Sequence, residues 1–345
     1  MNRTVEDFEH EARARLPEHA SAYFAASAGS GASLAEGISD WAAVRMRPRV
    51  LRNLSRIDSS TTVLGTPVAS PILVAPMAQQ VAAHADAERA MSRAVAATGG
   101  LLGVSTNAAV PFGEIAEAGA PWWFQVYITR QRHLTELLVE RAVGAGARAL
   151  VLTVDMMALL PPEVNPRNWP DGPGKARMTN LTADELAAPG AQAREMDFDV
   201  TFDDIAWLSR LSGGLPVLVK GVLRGDDAAA CMDAGAAGVV VSTHGGRRLG
   251  SSITATRALP EVVDAVGGQG EVYVDSGIRN GEHVAAALAM GARGVFVGRP
   301  ALWALSARGE EGVTALLSTL NADLRQVMLQ LGCPTIADLT PDLLA

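Results

Sequence analysis

The sequence predicts an α/β fold, a TIM (β/α)8 barrel with a helical cap at the N-terminus and helices at the C-terminus. A length of 345 residues suits one such barrel with extensions. Hydrophobic residues make up 48% of the chain and charged residues 19%, which is enough for a large core and argues against disorder. The third observation is an internal repeat, in which a glycine is followed at once by an apolar run. Together they predict one domain over residues 1–345.

The repeat occurs at residues 145–152, 234–241 and 290–297, which read AGARALVL, AGAAGVVV and MGARGVFV. Its glycine is suited to ending a helix, because a left-handed backbone conformation costs glycine little. The unbroken apolar run that follows is typical of a strand in a parallel sheet buried on both faces. A helix end, a short loop and a buried strand, repeated, are the pattern of a βα barrel.

The other elements are predicted in chain order. Residues 1–45 are expected to form the helical cap, and residues 46–70 a small hairpin that closes the bottom of the barrel. Pro300–Leu331 is expected to form two terminal helices. Eight strands are predicted near residues 72–76, 101–104, 122–127, 148–153, 216–220, 237–242, 271–275 and 293–297, with helical patterns between them such as 85–98, 130–143, 226–234 and 281–290.

The segment at about 155–202 breaks this rhythm. It is rich in Pro, Gly, Asn and Asp, and it follows the carboxyl end of the fourth predicted strand. Active sites of such barrels lie at that end, and long loops inside compact domains are usually functional. We expect this segment to form a lid over the active site.

Composition argues against several classes of protein. A net charge of −8, with scattered Lys and Arg, argues against a nucleic-acid surface. Cys231 and Cys333 cannot form a disulfide framework, and no Cys/His spacing predicts a metal site, so we interpret both as core residues. The acidic N-terminus lacks the apolar run of a secretory signal, and no stretch approaches the ~20 apolar residues of a membrane span. We therefore expect a cytoplasmic protein.

Polar side chains cluster at the predicted carboxyl ends of the strands, whereas the strand interiors are almost purely apolar. This contrast predicts an active site at the mouth of the barrel. Two segments, Asp275–Arg279 and Gly298–Arg299, end the last two strands, where such barrels bind phosphate. Each segment alone could equally be a glycine that caps a helix and an arginine exposed to solvent. The two segments together, at adjacent strands, favour a phosphate site. The strand-end residues are Gln125, Tyr127, Thr153, Asp155, Lys220, His244, Arg247, Asp275, Gly277, Arg279, Gly298 and Arg299.

Three of these residues are candidates for chemistry. Lys220 ends an apolar strand, so its ammonium would point into the mouth and stabilise negative charge developing on a cofactor; the alternative is a surface lysine. His244 precedes two glycines, so its imidazole would be presented as a base, and Asp155 could orient it. The alternatives are a turn histidine and a helix-capping aspartate.

The ordered motifs resemble those of the FMN-dependent 2-hydroxy acid oxidases and dehydrogenases, such as glycolate oxidase, lactate oxidase and mandelate dehydrogenase. The resemblance covers about Leu16–Gly332, nearly the whole chain. The motifs are Leu16-Pro17 with Tyr23, Pro76-Met77-Ala78 with His84, Gln125–Tyr127, Leu152–Asp155, Leu218–Gly221, His244–Arg247, Asp275–Arg279 and Gly294–Pro300.

The resemblance implies an FMN cofactor, a small-molecule substrate and a homotetramer. It implies His244 as the base paired with Asp155, Tyr127 hydrogen-bonded to the substrate oxygen, and Arg247 with Tyr23 at the substrate carboxylate. The electron acceptor stays open between oxygen, a quinone and a partner protein, and so does the choice among oxidase, dehydrogenase and monooxygenase chemistry. The implied cofactor-binding residues are Pro76, Met77, Ala78, Ser105, Gln125, Thr153, Lys220, His244, Asp275, Ser276, Gly277, Arg279, Gly298 and Arg299.

The sequence departs from the family pattern at positions that the resemblance places near the substrate. Pro161-Pro162, before Glu163, stand where the family has consecutive arginines, one of which clamps the substrate carboxylate. Thr243 replaces an asparagine, Gly250 an aspartate, and Asn107 a residue that is often aromatic or otherwise large. We infer an atypical substrate that is bulkier and apolar, or whose carboxylate is masked as an amide, an ester, or a peptide or carrier linkage.

Several alternatives stay open beside this interpretation. Arg167 could swing in to replace the missing clamp. The substrate could be an amine, the protein a non-catalytic FMN-binding homologue, or the enzyme an isomerase that uses reduced flavin. The intact His244, Asp155, Tyr127 and Lys220 argue against flavin storage alone, since storage needs no base.

Overall fold

The computed structural model describes residues 3–155, 169, 178–187 and 196–345. Its strands are β1 (Thr61–Val63), β2 (Thr66–Val68), β3 (Ile72–Val74), β4 (Leu102–Ser105), β5 (Trp122–Val126), β6 (Leu150–Thr153), β7 (Val217–Val222), β8 (Gly238–Val241), β9 (Glu271–Val274) and β10 (Gly294–Val297). Its helices are α1 (Val5–Arg15), α2 (Glu18–Ala25), α3 (Ala32–Ala43), α4 (Gln80–Ala83), α5 (Ala87–Ala97), α6 (Phe112–Glu117), α7 (Arg132–Gly144), α8 (Ala183–Ala187), α9 (Asp203–Leu211), α10 (Gly225–Asp233), α11 (Ala255–Val266), α12 (Gly281–Ala289) and α13 (Arg299–Leu331).

Strands β3 to β10 form a closed barrel in which each strand pairs with its sequence neighbour and β10 pairs with β3. All eight pairings are parallel. Each predicted strand is present, displaced by at most a few residues at its ends. The closed barrel of eight parallel strands confirms the predicted TIM barrel, and its strands are the apolar runs expected of a sheet buried on both faces.

The barrel interior is a packed core that the hairpin β1–β2 closes at the amino end of the strands. Trp123 and Tyr273 meet inside it edge to face, with ring centroids 5.4 Å apart. Val63 and Val68 of the hairpin are buried in the same cluster as these two rings. The hairpin predicted within residues 46–70 therefore does close the bottom of the barrel.

The two ends of the chain pack against each other outside the barrel. Helix α1 lies against α13. Arg308 and Gly309 leave the helical conformation inside α13, which divides it into the two predicted terminal helices. Gly309 has a φ of 57°, and a Cβ there would lie 2.9 Å from Nε2 of His84, so the close approach of that ring requires a glycine at the break.

The predicted lid, at about 155–202, is described only in part. Trp169 is buried against α2, with its ring centroid 4.8 Å from that of His19 and 5.6 Å from that of Tyr23. Residues 156–168, which include Pro161-Pro162, Glu163 and Arg167, lie outside the described residues. Within the described part of the chain, no helix is long and apolar enough to cross a membrane.

Candidate active site

The predicted site residues meet in one cleft at the carboxyl ends of the strands. Asp155 is the exception among them, since it lies behind His244 rather than on the cleft wall. Asn107 also lines the cleft. The predicted residues on the wall are Tyr23, Pro76, Met77, Ala78, Ser105, Gln125, Tyr127, Thr153, Lys220, His244, Arg247, Asp275, Ser276, Gly277, Arg279, Gly298 and Arg299.

The loops after β8 and β9 are held together by Ser276. Its hydroxyl accepts hydrogen bonds from the backbone N–H groups of Thr243 (3.1 Å) and Gly245 (3.0 Å), and it donates one to Asp275 (2.7 Å). Both His244 and Ser276 have a positive φ, 54° and 71°, although neither is a glycine. Such backbone strain persists only where the surrounding structure imposes it, and it concentrates at functional sites.

The imidazole of His244 is held by Asp155, with 2.9 Å between Nδ1 and a carboxylate oxygen. Gly221, at the end of β7, makes this possible, since a Cβ there would lie 2.6 Å from Cβ of Asp155. Burial lowers the pKa of His244, Asp155 raises it, and the charges of Lys220 and Arg248 lower it further. The net effect is a neutral imidazole, which can accept a proton.

Lys220 is buried rather than solvated, so the surface-lysine alternative is wrong. Its ammonium lies 2.9 Å from a carboxylate oxygen of Asp275 and donates a hydrogen bond to Ser242 (2.8 Å). The ends of β7, β8 and β9 therefore share one ion pair at the cleft wall. A buried ammonium group that is paired in this way is suited to stabilise negative charge on a bound group.

Three arginines lie close together at one side of the cleft. Arg299 donates hydrogen bonds to the carbonyl groups of Phe24 (3.0 Å) and Gly245 (2.7 Å). Burial, followed by the charges of Arg247 and Arg279, lowers the pKa of Arg299 to about 9. Like charges gathered in a buried place favour an anion among them, and a phosphate suits arginine.

The cleft also presents polar atoms with no hydrogen-bond partner among the described residues. Nε2 of Gln125 and Oγ1 of Thr153 are two such buried atoms. The hydroxyl of Ser105 donates to Oε1 of Gln125 (3.3 Å), which turns the amide nitrogen away from it. A wall of unpaired polar atoms joined to a cluster of arginines fits FMN, which carries a polar heteroaromatic ring and a phosphate.

Two features of the loop after β8 were not predicted from the sequence. Arg248 lines the cleft together with Arg247, and only the doubled arginine in the sequence hinted at that. Gly250, which stands where an aspartate was expected, packs closely against the loop after α2. A Cβ at Gly250 would lie 3.0 Å from the carbonyl oxygen of Ala28, so the backbone contact explains the small residue.

The sequence model of one family, described as FMN-dependent dehydrogenase, matches residues 12–345. The L-lactate oxidase of Nostoc sp. is 40% identical over 96% of this chain and 95% of its own length. The 2-hydroxyacid oxidase 1 of Homo sapiens is 36% identical over 96% and 93%. A solved structure of mandelate oxidase superposes with a TM-score of 0.88 at 35% identity, covering 99% of this chain and 97% of that one. The chain therefore belongs to the FMN-dependent dehydrogenase family of 2-hydroxy acid oxidases, and it is an FMN-dependent oxidoreductase.

Proposed function

We propose that this enzyme oxidises the C–H bond beside the hydroxyl of a 2-hydroxy acid, with His244 as the base. The observation that carries the proposal is the contact of 2.9 Å between Asp155 and His244, whose imidazole lines the same cleft as the residues that we propose to bind the flavin. A carboxylate at Nδ1 leaves Nε2 free to take the proton and stabilises the imidazolium that results.

FMN supplies the two-electron acceptor when it is bound, and the chain supplies its surroundings. Lys220 is suited to compensate negative charge on the reduced ring, because it is buried and already paired with Asp275. Arg279, Gly298 and Arg299 are suited to the phosphate. The residues proposed to contact the ring and the ribityl chain are Pro76, Met77, Ala78, Ser105, Gln125, Thr153, His244, Asp275, Ser276 and Gly277.

Tyr127 and Arg247 are proposed to orient the substrate. Burial, aided by the charge of Asp155, raises the pKa of Tyr127, so its hydroxyl stays protonated and can donate a hydrogen bond to a substrate oxygen. Arg247 donates from Nη1 to the carbonyl oxygen of Tyr23 (2.8 Å), and its guanidinium lies 4.9 Å from the ring centroid of that tyrosine. These contacts fix the direction in which Arg247 faces a carboxylate.

We further propose an atypical substrate, either bulkier and apolar or with a masked carboxylate. The support is Pro161-Pro162 in place of arginines. Loss of one charged hydrogen bond typically costs ~1.5–3 kcal/mol, which would weaken the binding of small 2-hydroxy acids by a factor of tens to hundreds. Among the solved relatives, a mandelate oxidase with one arginine replaced by leucine is described with 2-hydroxy-phenylacetamide, at 34% identity.

The test is anaerobic reduction of the bound flavin by a panel of substrates, followed by absorbance. The panel contains glycolate, lactate, mandelate, 2-hydroxy-phenylacetamide, methyl mandelate and the amine phenylglycine. We expect mandelate or its masked derivatives to reduce the flavin faster and at lower concentration than glycolate or lactate. Rapid, tight reduction by glycolate or lactate would contradict the atypical substrate. Failure of every hydroxy compound to reduce the flavin would contradict the oxidation itself.

We also propose that the enzyme has a lid over the cleft, forms a homotetramer and is cytoplasmic. Trp169, packed on Tyr23, supports the assignment of about 155–202 as a cover for the cleft. Family resemblance supports a homotetramer, which light scattering of the purified holoenzyme tests. The acidic N-terminus without an apolar run supports a cytoplasmic location, which cell fractionation tests.

A further inference from the structure

His283 is a buried histidine in the first turn of α12, directly after the loop that carries residues proposed for the FMN phosphate. Its side chain turns back towards that loop. Nδ1 of the imidazole accepts a hydrogen bond from the backbone N–H of Arg279 (3.3 Å). His283 lies behind the cleft wall rather than on it, whereas Arg279 lines the cleft. The histidine therefore holds the backbone of a cleft residue from outside the cleft.

The hydrogen bond requires a neutral imidazole, because both ring nitrogens of an imidazolium are donors. Burial is the largest influence on the pKa of His283 and lowers it, and the charge of Arg279 acts in the same direction. A hydrogen bond with the backbone of Gly277 and the charges of Asp323 and Glu6 oppose that shift without reversing it. An ordinary histidine, with a pKa near ~6.5, is already mostly neutral at pH 7, so Nδ1 of His283 is available as an acceptor.

The turn that holds His283 is anchored independently of the loop. Asn280 caps α12, since its Oδ1 accepts a hydrogen bond from the backbone N–H of His283 (2.9 Å). The backbone N–H of Gly281 donates to Asp323 of α13 (2.5 Å). A Cβ at Gly281 would collide with the backbone of Leu324, so α12 and α13 approach as closely as a glycine allows. The imidazole is thus fixed by the helices around the barrel.

Arg279 is held at both of its ends. His283 holds its backbone N–H, and its guanidinium donates to the carbonyl oxygen of Ile278 (2.8 Å). Burial lowers the pKa of Arg279, so its charge is held away from water. A charged group that is positioned before its ligand arrives loses less conformational freedom when the ligand binds. These contacts therefore favour the binding of an anion by Arg279.

We propose that His283 is a positioning residue for the cofactor: by holding the backbone N–H of Arg279, it directs that guanidinium to the phosphate of FMN. The inference rests on the proposed assignment of Arg279 to the phosphate and extends it to a residue outside the cleft. The imidazole acts here as a neutral acceptor and does not contact the flavin.

The test compares the binding of FMN and of riboflavin, which lacks the phosphate, to the apoprotein. Quenching of flavin fluorescence measures both affinities. His283→Leu removes the acceptor and keeps an apolar side chain in the buried site. We expect it to bind FMN about tenfold more weakly, with the affinity for riboflavin within about twofold of the wild-type value. Equal weakening of both ligands would overturn the proposal, because a general disturbance of the fold does not distinguish them.

Two further variants separate the acceptor from the bulk of the side chain. His283→Asn places an amide oxygen near the position of Nδ1 and should recover most of the FMN affinity. His283→Gln keeps a polar side chain but moves its oxygen one atom further out, so it should bind FMN as weakly as His283→Leu and replaces that variant if leucine prevents folding. An FMN affinity of His283→Asn no higher than that of His283→Gln would contradict the role of Nδ1.

His133→Leu is the matched control. His133 also lies in the first turn of a helix, α7, but it is exposed. This variant should bind FMN and riboflavin as the wild-type protein does. Calorimetry of each apoprotein shows whether a loss of FMN affinity accompanies a loss of stability, and a lower melting temperature with equal losses for both flavins would mean that His283 only supports the fold.

A double-mutant cycle with Arg279→Met tests whether His283 acts through that guanidinium. If it does, His283→Leu should cost no further FMN affinity once the guanidinium is gone. Losses that add in the double variant would overturn the proposal. Wild-type FMN affinity of Arg279→Met would instead refute the assignment of Arg279 to the phosphate. Weak binding to Arg279→Met with wild-type binding to His283→Leu would refute only the role of His283.

Discussion

The two ends of the barrel are built from the same strands but differ in how their charged side chains are paired. At the amino end, Glu271 accepts hydrogen bonds from the backbone N–H of Leu64 (2.9 Å) and from the hydroxyl of Tyr273, and it lies 3.8 Å from Arg293. Arg293 in turn donates to the carbonyl oxygen of Thr62 (2.8 Å). Charges of opposite sign are matched there, and the groups tie the hairpin to the strands.

At the carboxyl end, cations gather and polar atoms are left over. Burial lowers the pKa of Arg279, which signals a charge held away from water. Nε2 of Gln125 and Oγ1 of Thr153 lack partners among the described residues, and His244 and Ser276 carry backbone strain. Each of these features lowers stability unless something binds.

The difference indicates what each end is for. An end that only closes a barrel can satisfy every group locally, so its residues stabilise the fold. An end that binds a cofactor and a substrate keeps its binding groups unsatisfied until those ligands arrive. Substitutions at the carboxyl end should therefore weaken ligand binding or catalysis, whereas substitutions at the amino end should lower the stability of the fold.

His244→Ala should show the largest effect, and it should be confined to the chemical step. Loss of a general base typically costs ~10²–10⁴ in rate. We expect anaerobic flavin reduction to slow by this factor, while the FMN content and the reoxidation of chemically reduced flavin change far less. Stopped-flow absorbance measures both half-reactions.

Added imidazole should restore part of the lost rate, and circular dichroism should show an intact fold. A loss of less than about tenfold would contradict the role of His244, since it falls below the range for a general base.

Arg279→Met should separate ligand affinity from stability. The guanidinium donates to the carbonyl oxygen of its own neighbour, Ile278 (2.8 Å). Burial lowers the pKa of Arg279, and the charges of Glu9 and Glu6 oppose that shift. We expect FMN to bind about ten to a hundred times more weakly, because one charged hydrogen bond to the phosphate is lost. The melting temperature of the apoprotein should not fall. Fluorescence titration with FMN and calorimetry of the apoprotein measure the two quantities.

Arg293→Met is the matched control at the other end of the barrel. It removes two hydrogen bonds to Thr62 (both 2.8 Å) from the matched cluster. We expect a loss of about 1 kcal/mol in the free energy of unfolding and no change in FMN affinity. If both variants lost stability equally, the contrast between the two ends would be wrong.

The fold was predictable because its strands can be recognised from their local sequence. Parallel strands buried on both faces are continuous apolar runs, and the glycine before each one marks the end of the preceding helix. The polar residues of the site were predictable for the same reason, since a polar side chain that ends an apolar run, such as Lys220, must lie at the mouth.

What escaped prediction depends on distances between segments far apart in the chain. The ion pair between Lys220 and Asp275 joins β7 to the residue after β9, and no local sequence pattern encodes a contact over that separation. The position of Arg248 in the cleft was not predicted, because consecutive residues in an extended loop are expected to point in opposite directions. Instead, the backbone has a positive φ at His244, Gly245 and Gly246, and both arginines that follow line the cleft.

The surplus of positive charge at the carboxyl end should also appear in the pH dependence of catalysis. Burial and the charges of Lys220 and Arg248 lower the pKa of His244, whereas the charge and hydrogen bond of Asp155 raise it. A base with a lowered pKa stays neutral, and therefore active, at pH values where an ordinary histidine, with a pKa near ~6.5, is already protonated. We therefore expect the acid limb of kcat/KM for the wild-type enzyme to lie below pH ~6.5.

In Asp155→Asn the acid limb should move to still lower pH, because the carboxylate that raises the pKa of His244 is gone. The kcat at neutral pH should fall, because the imidazolium formed during the reaction loses its partner. Profiles of both proteins at constant ionic strength, corrected for ionisation of the substrate carboxyl, measure the two shifts. An acid limb at or above pH ~6.5 would mean that Asp155 outweighs the surrounding cations, and that the mouth of the barrel holds less uncompensated charge than its arginines imply.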